Sequence, residues 1–241
     1  MTDTSSHPGR ARDRAGLLRR ARRRRPGRGS LAETDPYWPA QLAVLGAIAL
    51  HVSLPASLIL GPRWVLPGLE GALLLGLVVT TPHRSKGESR RTRAAAILLV
   101  ALVTATNLVS LGFLVHLLVT GARASGQQLI LSAIQIWLTN VIIFGLWFWE
   151  LDGGGPGRRT GRRDPTRTPD FLFPQMSSHY GRGWKPGFTD YLYVSFTNAA
   201  AFSPTDAMPL TRRAKGLMLV EALGSLVTVA LVAGRAVNIL G

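Results

Sequence analysis

Six ionisable or amide side chains interrupt long apolar stretches of the sequence: His51, Glu70, Asn107, His116, Asn140 and Glu221. An ionisable group inside a membrane is costly unless it is paired or hydrated, so such residues face the interior of a helix bundle. Carboxylates at this depth can carry protons or cations. The sequence therefore suggests an ion or proton path that uses Glu70, Glu221 and Asp206. The alternative is that these groups only form hydrogen bonds between helices or lie near helix ends. For the two histidines, we favour the interpretation that they are packed core residues.

A second polar set follows a short apolar and aromatic segment near the C-terminus. Thr189 and Asp190 are typical of a helix start, and Pro204 and Pro209 break the helix that follows. About a dozen residues are too few to span a bilayer, and they suit a re-entrant or interfacial helix. The candidate ion-path residues of this segment and the loop after it, together with Glu221 of the following helix, are Thr197, Asn198, Ser203, Pro204, Thr205, Asp206, Pro209, Thr211 and Glu221.

Five apolar segments must position these residues. A helix rises about 1.5 Å per residue and a bilayer core is about 30 Å thick, so about 20 apolar residues span it. Soluble helices normally carry a charged face, whereas these segments are apolar all round. We predict an all-α, polytopic transmembrane bundle of five spans plus a short re-entrant helix, with six spans as the alternative. The predicted spans are Pro39–Leu60, Trp64–Pro82, Ala94–Thr120, Leu129–Trp149 and Gly216–Leu240.

The charge of the chain is concentrated between these segments. The 241 residues carry a formal net charge of +15, and 22 of the 28 Lys and Arg lie in stretches 1–35, 83–93 and 152–186. Basic loops stay on the cytoplasmic side of a membrane, which predicts a multi-pass protein with a cytoplasmic N-terminus. The chain contains no cysteine, which excludes disulfides, thiol nucleophiles and cysteine zinc sites.

Shifts of composition divide the chain into four predicted regions. Residues 1–36 form a disordered, Arg-rich cytoplasmic tail, and residues 37–151 form a four-helix transmembrane region. Residues 152–187 form a basic cytoplasmic loop, and residues 188–241 contain the short helix and the final span. We interpret the arginines of the tail as a topology signal that touches anionic lipid headgroups, and we do not predict nucleic acid as a partner.

Two parts of the basic loop have a recognisable composition. The run Gly153–Gly157 resembles a phosphate loop but lacks its Gly-Lys-Ser/Thr ending, so we interpret it as a flexible linker. The run Asp170–Gln175 is apolar within a polar loop. This pattern indicates either contact with the membrane surface or the underside of the bundle, or a locally packed turn.

The segment Asp190–Leu240 resembles the pore loop and inner helix of bacterial potassium channels. The residues that carry this resemblance, over about 50 of the 241, are Tyr193-Val194-Ser195-Phe196-Thr197, Asp206, Pro209, Thr211, Glu221, Gly224 and Arg235. The whole chain also resembles an uncharacterised family of bacterial multi-pass membrane proteins, through Phe148–Asp152, Asp170–Gln175, Ser195–Asp206 and Ala236–Leu240. The resemblance implies a pore-loop protein of the bacterial plasma membrane, assembled as a homo-oligomer.

The chain departs from the channel pattern at the selectivity filter. A potassium filter is a ladder of backbone carbonyls with two glycines, and here Ser203 and Thr205 stand in their places with Pro204 between them. The sequence therefore predicts a lining of hydroxyls and the Asp206 carboxylate without potassium selectivity. The basic residues Arg212, Arg213 and Lys215 predict that the short helix enters from the cytoplasmic side, whereas six spans would place them outside.

Two functions remain open from the sequence. One is ion permeation, with a monovalent cation as the partner, and the other is a non-conducting membrane scaffold or partner-binding protein. The sequence has no HExxH motif, no recognisable pairing of nucleophile and base, and no nucleotide loop. We therefore predict no enzymatic activity, catalytic residue, cofactor or metal site.

Overall fold

The computed structural model describes residues 37–62, 64–80, 90–120, 125–159, 168–177, 184–201, 203 and 207–240. The predicted tail, residues 1–36, and three candidate ion-path residues, Pro204, Thr205 and Asp206, lie outside the described residues. Within the described part, the chain is all-α apart from two strands of two residues each.

The bundle is formed, in the described part of the chain, by six helices of at least 14 residues. They are α1 (Trp38–Ser53), α2 (Val65–Thr80), α3 (Arg90–Thr120), α4 (Gly126–Leu151), α7 (Phe188–Ala201) and α8 (Arg212–Leu240). The shorter elements are the 3-10 turns Ala56–Leu58 and Asp152–Gly154, the helices α5 (Pro156–Arg159) and α6 (Pro174–Ser177), and the strands β1 (Phe171–Leu172) and β2 (Met208–Pro209).

Among the described helices, α3, α4 and α8 are long and apolar enough to cross a membrane. This supports the predicted helical membrane protein. The helices α1 and α2 are also apolar but have 16 residues each. A helix of that length is about 24 Å long at about 1.5 Å per residue, which is short of a bilayer core.

The first helix ends earlier than its apolar segment. Pro55 disfavours a helical conformation of the residue before it, and Leu54 is extended, with φ −66° and ψ 147°. The chain then continues through the 3-10 turn, where Leu58 and Ile59 are buried in one apolar cluster with Leu114 of α3. The segment predicted as a single span is therefore a helix followed by a packed turn.

The central helix is α4, which packs against α1, α3, α7 and α8. Both α1 and α3 begin at the C-terminal end of α4. The Tyr37 ring meets the Trp149 ring edge-on, with centroids 5.4 Å apart. The Arg93 guanidinium donates to the backbone oxygen of Glu150 at 3.3 Å. We call this end of the bundle, marked by Trp149–Asp152, the basal end.

The helix α7 also starts at the basal end and runs antiparallel to α4. Leu192 lies against Gly145, and further along Phe196 contacts the Trp137 ring edge-on, with centroids 5.9 Å apart. The chain is back at the basal end by β2, which pairs antiparallel with β1. The helix α8 then begins there, since Arg213 donates to the backbone oxygen of Leu151 at 3.4 Å. The segment 188–211 therefore leaves and returns at the same end of the bundle.

Close approach of α4 and α7 depends on a glycine. A Cβ at Gly145 would lie 3.1 Å from the Cα of Leu192, so the α7 backbone would have to move. We expect Gly145→Ala to lower the free energy of unfolding by about 1–2 kcal/mol, the usual cost of overpacking. The measurement is the midpoint of SDS-induced unfolding in mixed micelles.

The matched control is Gly112→Ala. Gly112 is an exposed residue of α3 with no atom within 4 Å of an added Cβ. Its change should stay within about 0.5 kcal/mol. Equal effects of the two substitutions would contradict the close contact between α4 and α7.

Candidate functional site

Glu221 of α8 is buried where α4, α7 and α8 meet, with 0% of its surface exposed. Its Oε2 accepts a hydrogen bond from the Asn198 side-chain amide at 2.7 Å. Its Oε1 is hydrogen-bonded to the Ser195 hydroxyl, which also donates to the backbone oxygen of Val141 at 2.7 Å. The Asn198 amide donates in addition to the backbone oxygen of Met218 at 2.9 Å. One carboxyl group thus links three helices.

The Ser195 hydroxyl lies between two acceptors, the backbone oxygen of Val141 and the Oε1 of Glu221. It has one hydrogen, so it can donate to only one of them at a time. In the described part of the chain, no Lys, Arg or His forms an ion pair with Glu221, and burying an unpaired carboxylate is costly. The contacts of this carboxyl group in the described part of the chain are therefore hydrogen bonds with neutral side chains.

The network continues along α8 through an asparagine of α4. The side-chain amide of Asn140 donates to the backbone oxygen of Glu221 at 3.3 Å and to the Ser225 hydroxyl at 3.1 Å. Gly224 faces the same amide, because a Cβ added there would lie 3.7 Å from both terminal atoms of Asn140. We call Asn140, Ser195, Asn198, Glu221 and Ser225 the carboxyl network.

A second cluster lies at the basal end and centres on two aspartates. The Oδ1 of Asp152 accepts from the backbone N–H of Asp170 at 2.5 Å and of Phe171 at 3.3 Å, and its Oδ2 accepts from the Tyr191 hydroxyl. Asp170 in turn accepts from the Thr211 hydroxyl at 2.5 Å and from Arg213 at 2.6 Å. These residues, the basal cluster, connect the end of α4 to the starts of α7 and α8.

The apolar run Asp170–Gln175 packs against the end of the bundle. Phe171 and Phe173 are buried, and the Phe171 ring lies 5.0 Å from the Phe148 ring between centroids. The Phe173 ring meets the rings of Tyr191 and Trp184 edge-on. Of the arrangements left open by the sequence, the structure has the contact with the underside of the bundle.

The glycine run after α4 differs from the flexible linker that its composition predicted. Gly153, Gly154 and Gly155 all have positive φ (58°, 90° and 100°), a conformation that glycine adopts at little cost. Arg159 fixes the turn by donating to the backbone oxygens of Trp149 at 2.6 Å and Asp152 at 2.8 Å. The described part of this run is an ordered turn at the basal end.

A third polar group lies between α1, α2 and α3. His51 and Glu70 are 4% and 0% exposed, and the His51 Nδ1 is 3.7 Å from the Glu70 Oε1. The Thr106 hydroxyl lies 3.2 Å from the same oxygen. The Glu70 Oε2 is buried and has no hydrogen-bond partner among the described residues.

The remaining predicted site residues are dispersed. Asn107 is buried in α3, whereas His116 is exposed. Thr197 is buried and its hydroxyl donates to the backbone oxygen of Val194 at 3.0 Å, and Pro209 is part of β2. Thr211 belongs to the basal cluster, and Ser203 is exposed. No hydrogen bond or ion pair among the described residues connects Glu70, His116 and Glu221 to one another.

The sequence alone did not single out Tyr191, Asp170 or Asp152 as site residues. A signal for part of the site was present. Tyr191, Ser195 and Asn198 are spaced by four and three residues, which places them on one face of a helix. Nothing in the spacing of Asp152 and Asp170 indicated that each would accept bonds from a distant segment.

The chain matches no family model, no curated protein and no solved structure. The described residues also contain no group of three His, Asp or Glu that could hold a metal ion. The functional proposal therefore rests on the geometry of the three polar groups and of the segment 188–211.

Proposed function

We propose that this chain is a multi-pass integral membrane protein in which α7 and the loop after it form a re-entrant hairpin that lines a path for monovalent cations. The observation that carries the proposal is the route of residues 188–211. The Phe196 side chain contacts Trp137, in the middle of α4. Further along the chain, the backbone N–H of Leu210 donates to the backbone oxygen of Asp170 at the basal end.

A re-entrant hairpin places non-helical backbone at membrane depth. Such backbone is tolerated only where protein buries it or where it lines a water-filled cavity. Ala200, Ala201 and Ser203 are exposed at the inner tip of α7. In this proposal, further copies of the chain cover this tip and water fills the space between them.

The polarity of α7 favours a cation at this tip. The C-terminal end of a helix carries a partial negative charge, equivalent to about half an elementary charge. Because α7 runs away from the basal end, its C-terminal end at Ala201 lies away from that end of the bundle. Asp206 follows in the sequence and would add a full negative charge at the loop.

The test is cation flux through the purified protein in liposomes. We expect flux of monovalent cations, and we expect Asp206→Asn to reduce it about tenfold. A tenfold change corresponds to about 1.4 kcal/mol. This energy lies between the attraction of two unit charges 4 Å apart in water, about 1 kcal/mol, and the attraction of the same two charges near a protein surface, about 4 kcal/mol. Leu219→Ala, at an exposed apolar position of α8, is the control and should leave the flux unchanged.

The complete burial of the carboxyl network favours a second candidate, a non-conducting scaffold or partner-binding protein. Glu221 is enclosed and fully hydrogen-bonded within a single chain, which suits a structural link better than an ion site. In that case the pure protein conducts no ion, and Asp206→Ala lowers stability or assembly instead. Absence of selective flux from well-folded protein would decide against ion permeation.

A further inference from the structure

The pair of His51 and Glu70 lies in a different part of the bundle from the proposed cation path. Its residues belong to α1 and α2, and Thr106 of α3 completes it. The separation of 3.7 Å between Nδ1 and Oε1 is too long for a hydrogen bond but is within the range of an ion pair. The Thr106 hydroxyl, which also donates to the backbone oxygen of Val103 at 2.9 Å, shares its one hydrogen with the carboxyl group. The second oxygen of Glu70 is buried without a partner among the described residues.

One proton can reside on either member of this pair. A charged carboxylate with a single neutral donor is costly in an apolar interior. A proton on His51 gives an ion pair, and a proton on Glu70 gives two neutral groups. Transfer breaks the N–H bond of the imidazolium and forms the O–H bond of the carboxylic acid, so the net charge of the pair does not change.

A groove leads from the basal end towards this pair. It is lined mostly by apolar residues of α1 to α4, and its lining includes Tyr37, Gln41, Val44, Leu74 and Glu150. Leu74, the lining residue nearest to Glu70 in the sequence, lies one helical turn after it on α2, about 6 Å along the helix axis. Gln41 and Glu150 are the polar side chains among the residues named above that have no aromatic ring.

The opposite side of the pair is also close to the surface. His51 is in the last turn of α1, and Ser53, two residues later, is exposed and accepts a bond from Gln135 at 2.9 Å. Glu70 and His51 thus lie between a groove that opens at the basal end and an exposed polar site beyond the end of α1.

Other charged groups of the packed helices are distant. In the described part of α1 to α4, besides His51 and Glu70, they are Arg90, Arg91, Arg93, His116 and Glu150. Arg93 is 13 residues from Thr106 along α3, about 20 Å, and His116 is ten residues from it, about 15 Å. Alkali cations need more oxygen ligands than Glu70 and Thr106 supply, whereas an imidazole beside a carboxyl group suits proton exchange.

We propose that His51 and Glu70 form a proton-exchange site, loaded from water along the groove that Glu150 lines, and that α1 to α3 transfer protons through it. Water in the groove accepts the proton from Glu70 or delivers it. The imidazole exchanges its proton with water near Ser53. This site differs from the cation path proposed for α7 and α8 both in its residues and in the ion that moves. It does not depend on that path.

The test is proton flux in liposomes that contain the purified full-length chain, driven by a pH gradient at zero membrane potential, with valinomycin and equal potassium on both sides, and followed with an internal pH dye. We expect the wild type to pass protons, and we expect Glu70→Gln and His51→Asn each to reduce the rate about hundredfold, a typical effect of removing a positioned acid or base. Glu70→Asp keeps a carboxyl group and should restore part of the rate.

His116→Asn is the matched control, because it removes the same kind of side chain from an exposed position on α3. It should pass protons at the wild-type rate. Each variant is checked for folding by its unfolding midpoint, so that lost flux is not confused with lost structure. Wild-type rates in folded Glu70→Gln or His51→Asn, or no proton flux from the wild type, would overturn the inference. Asp206→Asn should leave proton flux unchanged, which separates this test from the test of the cation path.

Discussion

Asp152→Ala is expected to lower the free energy of unfolding by about 4 kcal/mol, the largest loss expected from any one side chain of the basal cluster. The substitution removes the acceptor of two backbone N–H groups and of the Tyr191 hydroxyl. A buried donor left without its partner costs about 1–3 kcal/mol. Because Asp152 and Tyr191 are both buried, water cannot replace the lost bonds without opening the basal end. The measurement is SDS-induced unfolding in mixed micelles, followed by circular dichroism.

Two variants show whether the loss comes from the hydrogen bonds. Asp152→Asn keeps one oxygen for the backbone N–H groups, and its amide can donate to the Tyr191 hydroxyl, so we expect a loss of about 1 kcal/mol. Tyr191→Phe removes one bond of the three and should cost about 1–2 kcal/mol. A Tyr191→Phe loss equal to that of Asp152→Ala would mean that the two backbone bonds contribute nothing.

Glu221→Ala is expected to lower the free energy of unfolding by about 3 kcal/mol. The substitution leaves one hydrogen of the buried Asn198 amide unpaired, which costs about 1–3 kcal/mol, and opens a cavity between three helices. The same micelle unfolding experiment measures it.

Glu221→Gln is the decisive comparison, because a carboxyl group and an amide have nearly the same shape. The Gln oxygen can accept from Asn198 and its amide can donate to Ser195, whose own hydrogen remains on Val141. We expect a loss below about 1 kcal/mol. A Gln variant as unstable as the Ala variant would show that Glu221 is charged and that its charge is required.

The helices were the predictable part of this fold. The uncharged stretches predicted α3, α4 and α8 because an apolar segment without a charged face can only be a buried or membrane-embedded helix. The early end of α1 follows from Pro55, which the sequence also displays. Whether α1 and α2 cross a membrane depends on packing and tilt rather than on residue type, so the count of five spans stays a prediction.

The polar sites were predictable only in part. Glu70, Glu221 and Asn198 stand out because a polar residue is unusual in an apolar segment. His51 stands out in the same way, but its pairing with Glu70, like that of Asp152 with Tyr191, depends on how the helices are arranged. Ser195 was visible in the channel-like motif, but its bond to Val141 is a property of how α7 crosses α4.

The pairing of β1 with β2 has a consequence for the order in which the chain assembles. Phe171 pairs with Pro209, and these two residues lie on either side of α7 in the sequence. The helix α7 is too short to span a bilayer alone. During synthesis, β1 emerges well before β2 and before Arg213, which bonds to Asp170. The β1–β2 pair and the bond from Arg213 to Asp170 can therefore form only after the whole of α7 has been synthesised.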